Sequence, residues 1–505
     1  MAADDVRASF ETYRDRVEHP LWRMLTSFGQ RRRGWFAAGL ALSLVQRLVS
    51  LLPPFVLGVA IDSVFVRSRP FALPLVPAGW LPDGRLAQLW LSVALIGGSF
   101  LLTSALTTVR GLCLDYYSHR LMHEVRTATY EKLQRLDMAF FDEQETGELM
   151  SVLNNDVSNF ESFFDDAFHM SIQLVAVTLG VAGFLFYLNP QLASVTLIAV
   201  PLLAVATVAF MRYAEPAYDA IRSAVGGLNT RLENNLGGIE LIKTEATESH
   251  EAERVADASW RYFTTNWLRI KLELLYHPGT QLVTNVSFVA TFLVGGVWLV
   301  SGPPLFFSGT LSVGELVTFL MMSQRFTGPL KNISNIVDRY ENARASGKRV
   351  FGLLDMPVTL TDPADPVALG EVSGRVVYDD VTFGYEDEPV LSGIDVEADP
   401  GETVALVGPT GAGKSTVMKL LLRMYDVDGG AVRVDGHDVR DVSLTELRDA
   451  VGYVGQESYL FDGTVAENIR YGNFEASREE IEAVARMAEA HEFITNLPEG
   501  YETEV

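Results

Sequence analysis

The feature that most restricts this chain is a series of long apolar runs crowded into its first 330 or so residues. They cover residues 35–64, 89–108, 172–188, 192–210 and 282–300, with a weaker sixth at 311–322 that contains Glu315. A helix that crosses hydrocarbon needs about 20 mostly apolar residues. One such run could be a buried core helix, but five in so short a stretch predict a membrane domain. Lipid offers the backbone no hydrogen-bond partners, so the runs are expected to be α-helices.

The flanks set the orientation. Arg31, Arg32 and Arg33 stand directly before the first run, which places the N-terminus in the cytoplasm. Asn189-Pro190 then makes a tight turn on the outer side. Six crossings return the remaining chain to the cytoplasm and five would leave it outside, which is an independent reason to accept the weak sixth. Residues 1–34 carry mixed charge and no apolar core, so they read as a cytoplasmic segment and not as a cleaved signal.

The inner connections, residues 110–170 and 212–276, far exceed ordinary loop lengths. Both contain helix-compatible stretches, 121–136 and 228–243. The spans are therefore expected to continue beyond the membrane as long helices, turn back there and meet the soluble domain. Arg47 lies inside the first run. An arginine at the centre of a span costs about 2.5–3.5 kcal/mol, so it should face a cavity, a partner or the membrane edge. Either a substrate contact or a snorkelling or helix-pairing role meets that need. The single cysteine, Cys113, allows no intrachain disulfide and reads as a packing residue.

The membrane domain is expected over 35–354, ending in a helical stretch at 332–354, and a Pro- and Asp-rich linker over 355–373. Residues 374–505 read as a soluble α/β domain with parallel strands. Strands are expected at 375–378, 381–385 and 451–454, with a buried one at 403–407 between Pro400-Gly401 and Gly408-Pro409. A helix is expected at 414–424 and a hairpin at Asp435-Gly436. Ser443 with Glu446, and Ser477 with Glu480, read as capping boxes, the second opening a helix to about residue 490.

The net charge is −24. From Glu371 to Val505 there are 29 acidic and 10 basic residues, so −19 of it lies there. Such a surface excludes a nucleic-acid footprint, which must be basic. The surface is either that of a merely acidic soluble domain or that of a protein in a salt-rich cytosol, where screening makes dense like charge tolerable; the second reading, a salt-loving prokaryote, is favoured.

The chemistry centres on Gly408, Pro409, Thr410, Gly411, Ala412, Gly413, Lys414, Ser415 and Thr416, which contain G-x-x-x-x-G-K-[ST] between an expected strand and an expected helix. The glycines let backbone N–H groups turn toward phosphates, and the helix N-terminus favours their charge. Lys414 should reach the β- and γ-phosphates and the Ser415 hydroxyl should hold Mg²⁺. The motif specifies a nucleoside triphosphate and no particular enzyme. Tyr385 could stack on a purine or be an ordinary strand aromatic. Gln456 could reach Mg²⁺ or water, or be a loop glutamine.

Together these residues resemble the ABC transporter family in its exporter-type half-transporter form. The likeness rests on the order membrane domain then ATP-binding domain, on Val-Thr-Phe-Gly-Tyr385, the Gly408–Thr416 loop, Val-Gly-Tyr-Val-Gly-Gln456 and Phe-Asp-Gly-Thr-Val-Ala-Glu-Asn-Ile469. In the membrane half it rests on Phe-Phe-Asp-Glu-Gln-Glu-Thr-Gly-Glu-Leu-Met150, Asn-Asp-Val157 and Ser-Val-Gly-Glu-Leu-Val317. The fold it implies is an α-helical six-span transmembrane domain followed by an incomplete α/β P-loop nucleotide-binding domain.

The resemblance implies that Tyr385 stacks on adenine, that Lys414 holds the phosphates, and that Ser415 and Gln456 hold Mg²⁺. It implies coupling helices near 146–156 and 235–243, pressing on the ATPase domain near 456–468. ATP binding would clamp two such domains together, from a homodimer or a related second half. That would drive export of an unidentified substrate across the lipid bilayer by alternating access. A membrane-anchored ATP-binding regulator without transport is the other class considered, and a mere anchor needs one span where this chain has six.

Two departures stand out. Gly455 occupies a position where the family usually has proline, and the sequence stops at Val505, before the family's signature loop, catalytic glutamate and switch histidine. The expectation is therefore a truncated chain that names no catalytic residue, binds ATP weakly and does not turn over.

Overall fold

A computed structural model of the chain describes residues 9–74, 76–304, 307–326, 328, 333–385, 388–456 and 458–505. The chain divides into two compact units, Met1–Leu136 with Phe140–Thr359, and Asp137–Ala139 with Leu360–Val505.

In the first unit, five helical segments of the described residues are long and apolar enough to cross a membrane: Gln30–Val66, Arg85–Leu133, Thr146–Leu188, Pro190–Gly237 and Glu248–Ser301. The first is built from α1 (Arg33–Ser50) and α2 (Leu52–Ala60), whose Pro53 and Pro54 sit in the opening turn, where a missing N–H costs nothing. Then follow α3 (Arg85–Leu133), α4 (His169–Leu188), α5 (Pro190–Leu197), α6 (Ala199–Gly237) and α7 (Glu248–Ser301). At 1.5 Å per residue, the 49-residue α3 and 54-residue α7 are about 73 and 81 Å long, against roughly 30 Å of hydrocarbon. The expected extensions are thus continuous with the spans. The tip between α6 and α7 is the short helix Ile239–Thr244, on which Leu241 is exposed.

The turn at Asn189-Pro190 is made as expected. The Asn189 side chain caps α5 by accepting from the backbone N–H of Gln191 (3.1 Å) and Leu192 (3.0 Å), and Pro190 takes the first helical position.

Apolar side chains gain little by leaving lipid for one another, so these helices associate through small residues and hydroxyls. α1 packs on α3 with Gly39 against Leu114, and Gln46 Nε2 donates to Thr107 Oγ1 at 2.8 Å. Between α5 and α7, the buried hydroxyls of Thr196 and Thr291 lie 3.0 Å apart, and Ser287 donates to the Thr196 carbonyl at 2.8 Å. Cys113 is buried on α3 as a packing residue.

The sixth apolar run forms α8 (Val313–Ser323), 11 residues long. Glu315 is not stranded in lipid: it closes a capping box with Ser312, and Arg69 pairs with it. Buried Asp62 accepts from the Gly314 N–H at 2.8 Å and from the Ser312 hydroxyl, which pins the start of α8 to the end of the first span. The following helix is α9 (Ile333–Asp355); Asn332, its expected first residue, lies outside the described residues.

Away from the spans, Met24, Val125, Phe160, Val350 and Phe351 form one core. The short helices Phe10–Arg16 and Pro20–Ser27 contribute to it, and both pack on α9.

Among its described residues the second unit contains one antiparallel sheet in the order β2-β1-β3-β4, with β1 Val376–Phe383, β2 Leu391–Ala398, β3 Gly429–Val434 and β4 His437–Asp438. The expected strands at 375–378 and 381–385 are one strand, β1. Its register shifts between Tyr378 and Val381, where Asp380 takes φ 46°. The hairpin at Asp435-Gly436 is present.

The expected parallel strands at 403–407 and 451–454 are corrected: neither joins a ladder among the described residues. A parallel strand needs bonded neighbours and cover on both faces. Here Val407 is 90% and Val454 94% exposed, so a β-branched run alone did not suffice. The helices are α10 (Lys414–Leu421), α11 (Leu444–Asp449), α12 (Val465–Ile469) and α13 (Arg478–Met487). Ser477 and Glu480 make the full reciprocal box, whereas Ser443 only accepts from the Glu446 N–H. Thr464 and Glu467 form a further box at α12.

Candidate functional site

The glycine-rich loop runs from an extended, exposed approach into the N-terminus of α10. Gly411 (φ 86°) and Gly413 (φ 80°) both take left-handed conformations, and a Cβ on Gly413 would sit 2.6 Å from the Leu391 side chain. Glycine is therefore required there twice over, by backbone and by space. Gly408, Pro409, Thr410, Gly411 and Ala412 are all exposed.

The helix start leaves donors free. The Val417 N–H bonds to the Gly413 carbonyl at 3.1 Å, and the N–H groups of Lys414, Ser415 and Thr416 precede it in the first turn, where no intrahelical acceptor exists. Lys414 Nζ rests on the loop's own carbonyls, donating to Pro409 at 2.7 Å and Gly408 at 3.0 Å. Unspent amides, a helix N-terminus and one ammonium on one short loop form a cradle for an anion with several oxygens.

Core packing fixes the cradle's floor. Thr416, Val417 and Leu420 are buried, and buried Tyr378 of β1 donates its hydroxyl to the Val417 carbonyl at 2.7 Å. Burial pushes the Tyr378 phenol well above its ordinary range, so it stays a neutral donor.

The structure brings Tyr385 to this loop. Its hydroxyl lies 3.1 Å from Thr416 Oγ1, and its ring meets Phe383 and Tyr425 edge-on at 5.1 and 5.3 Å. Lys419 Nζ stands 5.7 Å from the ring centroid. The ring is 45% exposed, so it offers surface beside the loop for a flat apolar group to stack on. Ser415, in the first turn of α10, is exposed with its hydroxyl available to a cation. Gln456 is exposed, and among the described residues no hydrogen bond joins it to the loop. The residues thus fit a triphosphate, and of the two expected Mg²⁺ ligands only Ser415 belongs to the loop itself.

Sequence reasoning placed Asn468 in a motif and at the edge of the 456–468 region without giving it a role of its own. Its side chain donates to the Phe461 carbonyl and accepts from the Phe461 N–H, both at 2.8 Å, closing the loop 461–468. That reasoning missed the exposed aromatic ridge in which Phe461 and Tyr471 stack at 4.3 Å. Both lie inside a quoted motif or next to it, and the signal was an asparagine seven residues beyond an aromatic.

Comparison with known proteins agrees with this arrangement. Residues 36–330 match the ABC transporter transmembrane region and residues 391–503 match the ABC transporter domain. A fatty acid ABC transporter ATP-binding/permease protein of Mycobacterium bovis is 32% identical over 82% of this chain, which spans 64% of that protein's length. The ABC transporter ATP-binding protein YknU of Bacillus subtilis, itself uncharacterized, is 31% identical over 93% of this chain and 76% of its own length. An ATP-dependent lipid A-core flippase of Syntrophus aciditrophicus is 29% identical over 93% of this chain and 74% of its own.

Proposed function

This chain belongs to the ABC transporter family as a multi-pass membrane protein with a cytoplasmic ATP-binding domain, and from that premise we propose that it is one half of a dimeric, ATP-driven exporter. The observation that carries the reading is the cradle at the start of α10, with Lys414 on the loop and Tyr385 tied to Thr416, in a chain that also holds five membrane-length helices.

In this reading Lys414 and the first-turn amides of α10 bind the β- and γ-phosphates of ATP. Tyr385 stacks on adenine, and Ser415 with Gln456 holds Mg²⁺. The metal supplies charge neutralisation for phosphoryl transfer. Two copies, or this chain and a related second half, clamp on ATP and release on hydrolysis, which biases the membrane helices between two states. The exposed Leu241 at the tip of the long α6–α7 hairpin supports a coupling role for that tip. One relative is named for fatty acids and another for lipid A-core, which favours a lipidic substrate here.

Two measurements test the proposal. The chain should bind a fluorescent ATP analogue, and Lys414→Ala should weaken that binding by roughly 10- to 100-fold. The native protein, purified from its membranes and placed in vesicles, should move substrate only with ATP. Nucleotide binding without any ATP-dependent flux would leave a regulator and reject export.

A further inference from the structure

A cavity of about 910 Å³ in the membrane unit is lined by α1, α4 and the turn after α8. It is a half-open cleft whose walls are largely apolar, with the exposed Leu44, Leu48, Val175 and Leu179 among them, and Arg47 and Arg325 also line it. No carboxylate is among the described lining residues. The Arg47 guanidinium makes no hydrogen bond or ion pair among the described residues, and Arg325 reaches only the Ser50 hydroxyl, at 3.5 Å. A third arginine, Arg110 of α3, touches the His169 ring at 2.8 Å and keeps its Nε buried without a partner. Arg47 lies within electrostatic reach of both Arg110 and Arg325.

The helix register orders these charges. Gly39 faces Leu114 and Gln46 bonds Thr107, so Arg110 sits about one turn nearer than Arg47 to the basic flank Arg31–Arg33. Asp115 lies within electrostatic reach of Arg110, so the cations left without a carboxylate beside the apolar walls are Arg47 and Arg325. Like charges in an apolar wall repel and are poorly solvated, and only an anion compensates them. A neutral or cationic solute would leave both guanidiniums unpaired, and a small hydrophilic anion would leave the leucine and valine walls without a partner.

We propose that this cavity receives an acyl-chain amphiphile with a carboxylate or phosphate head, the head held by Arg47 and Arg325 and the tail lying along Leu44, Leu48, Val175 and Leu179. The assignment rests on the export reading and names its substrate class. Arg47 is thereby a ligand for cargo and not a snorkelling side chain.

The test is equilibrium binding to the purified chain in neutral detergent, without ATP. Labelled oleate and labelled phosphatidate are titrated, with oleylamine, oleyl alcohol, acetate and inorganic phosphate as competitors. Oleate, phosphatidate or both bind. The amine and the alcohol compete roughly tenfold or more less well, as expected for losing charge-assisted hydrogen bonds. Acetate and phosphate do not compete. Arg47→Gln with Arg325→Gln weakens binding by roughly tenfold or more, while Arg47→Lys, which keeps the charge as a point donor, weakens it less.

Equal competition by oleylamine overturns the charge assignment, and strong competition by acetate or phosphate overturns the lipid. Thermal midpoints check folding of each variant, and if the double variant does not fold, the lysine variant and the wild-type competition series decide. Because neither ATP nor flux is involved, charge-blind binding with intact flux rejects only this inference. Selective binding without flux rejects only export.

Discussion

Arg349 Nε donates to Asp156 Oδ2 at 2.7 Å while a second guanidinium nitrogen engages Oδ1, so α9 grips the carboxylate from two sides. Asp156 is fully buried and the Arg349 side chain is 34% exposed. Ser346 completes the shell by donating to Oδ1 at 2.8 Å, and Asn159 in turn donates to Ser346 at 2.9 Å. The asymmetry in burial predicts an asymmetry in mutation. Arg349→Ala leaves a buried carboxylate nearly alone and should cost about 3–5 kcal/mol. Asp156→Ala leaves an arginine that can reach water and should cost about 1–2 kcal/mol. Thermal midpoints in detergent check this; equal shifts would show that burial of the acid is not the deciding term.

At the phosphate loop, charge and stacking separate. Lys414→Ala should weaken nucleotide binding by roughly 10- to 100-fold, from the loss of a charge-assisted contact worth about 1.5–3 kcal/mol. Tyr385→Ala should cost about 1 kcal/mol, or roughly fivefold, from lost stacking. Tyr385→Phe keeps the ring and loses only the bond to Thr416, so it should remain within about twofold of wild type. Titration with a fluorescent ATP analogue reads all three. A Tyr385→Phe variant as weak as Tyr385→Ala would make the hydroxyl, and not the ring, the functional part.

Gly413→Ala faces two penalties at one site, a left-handed backbone and a contact at 2.6 Å to Leu391. Strain of about 1–3 kcal/mol is expected, and the loop should relieve it by moving. Nucleotide affinity should therefore fall while the midpoint of unfolding shifts little. An unchanged affinity would mean that the left-handed turn is not needed for the cradle.

Much of this was legible in the residues, and the failures have physical causes. The spans were readable because lipid imposes length and apolarity on each helix separately, with no partner to know. The loop was readable because glycine, lysine and serine at fixed spacing carry their own geometry. The strands at 403–407 and 451–454 misled because pairing is non-local: Val407 and Val454 have strand-like side chains and no ladder. Helices Phe10–Arg16 and Pro20–Ser27 span about two turns each, too few for periodicity to stand out, although Met24 is wholly buried. Glu315 seemed to weaken the sixth run because its capping role depends on Ser312, and the pairing of α8 with Asp62 crosses 250 residues.

Acid should reveal the hairpin between β3 and β4. The Asp435 carboxylate accepts from the Ser373 hydroxyl at 2.5 Å and from the Arg375 N–H at 2.9 Å, with the Ser373 and Gly374 N–H groups also on it. These bonds, the Ser373 hydroxyl foremost, hold its pKa down at about 2. The unfolded value is about 3.9, so the folded state favours the ionised form. Its stabilisation is complete above about pH 4 and is lost as pH falls through about 2. The gap in thermal midpoint between wild type and Asp435→Asn should thus be largest near neutrality and close as acid is added. A gap independent of pH would sink the assignment, since other carboxylates titrate in both proteins and cancel.

Two glycines in membrane helices should respond to alanine with opposite signs. Intrinsic propensity alone favours alanine over glycine in a helix by about 1 kcal/mol. At Gly296 of α7 a Cβ would meet nothing within 4 Å, so propensity should win and Gly296→Ala should stabilise. At Gly314 of α8 a Cβ would fall 1.9 Å from the Gly58 carbonyl oxygen and 2.7 Å from the Asp62 carboxylate. The backbone cannot yield there without breaking the Asp62 bond to the Gly314 N–H, and an unsatisfied buried polar group costs about 1–3 kcal/mol on top of the clash. Gly314→Ala should therefore lower the thermal midpoint while Gly296→Ala raises it. If both rise together, α8 is not held against α2 at this distance, and the pin between Asp62 and the sixth run does not hold the bundle together.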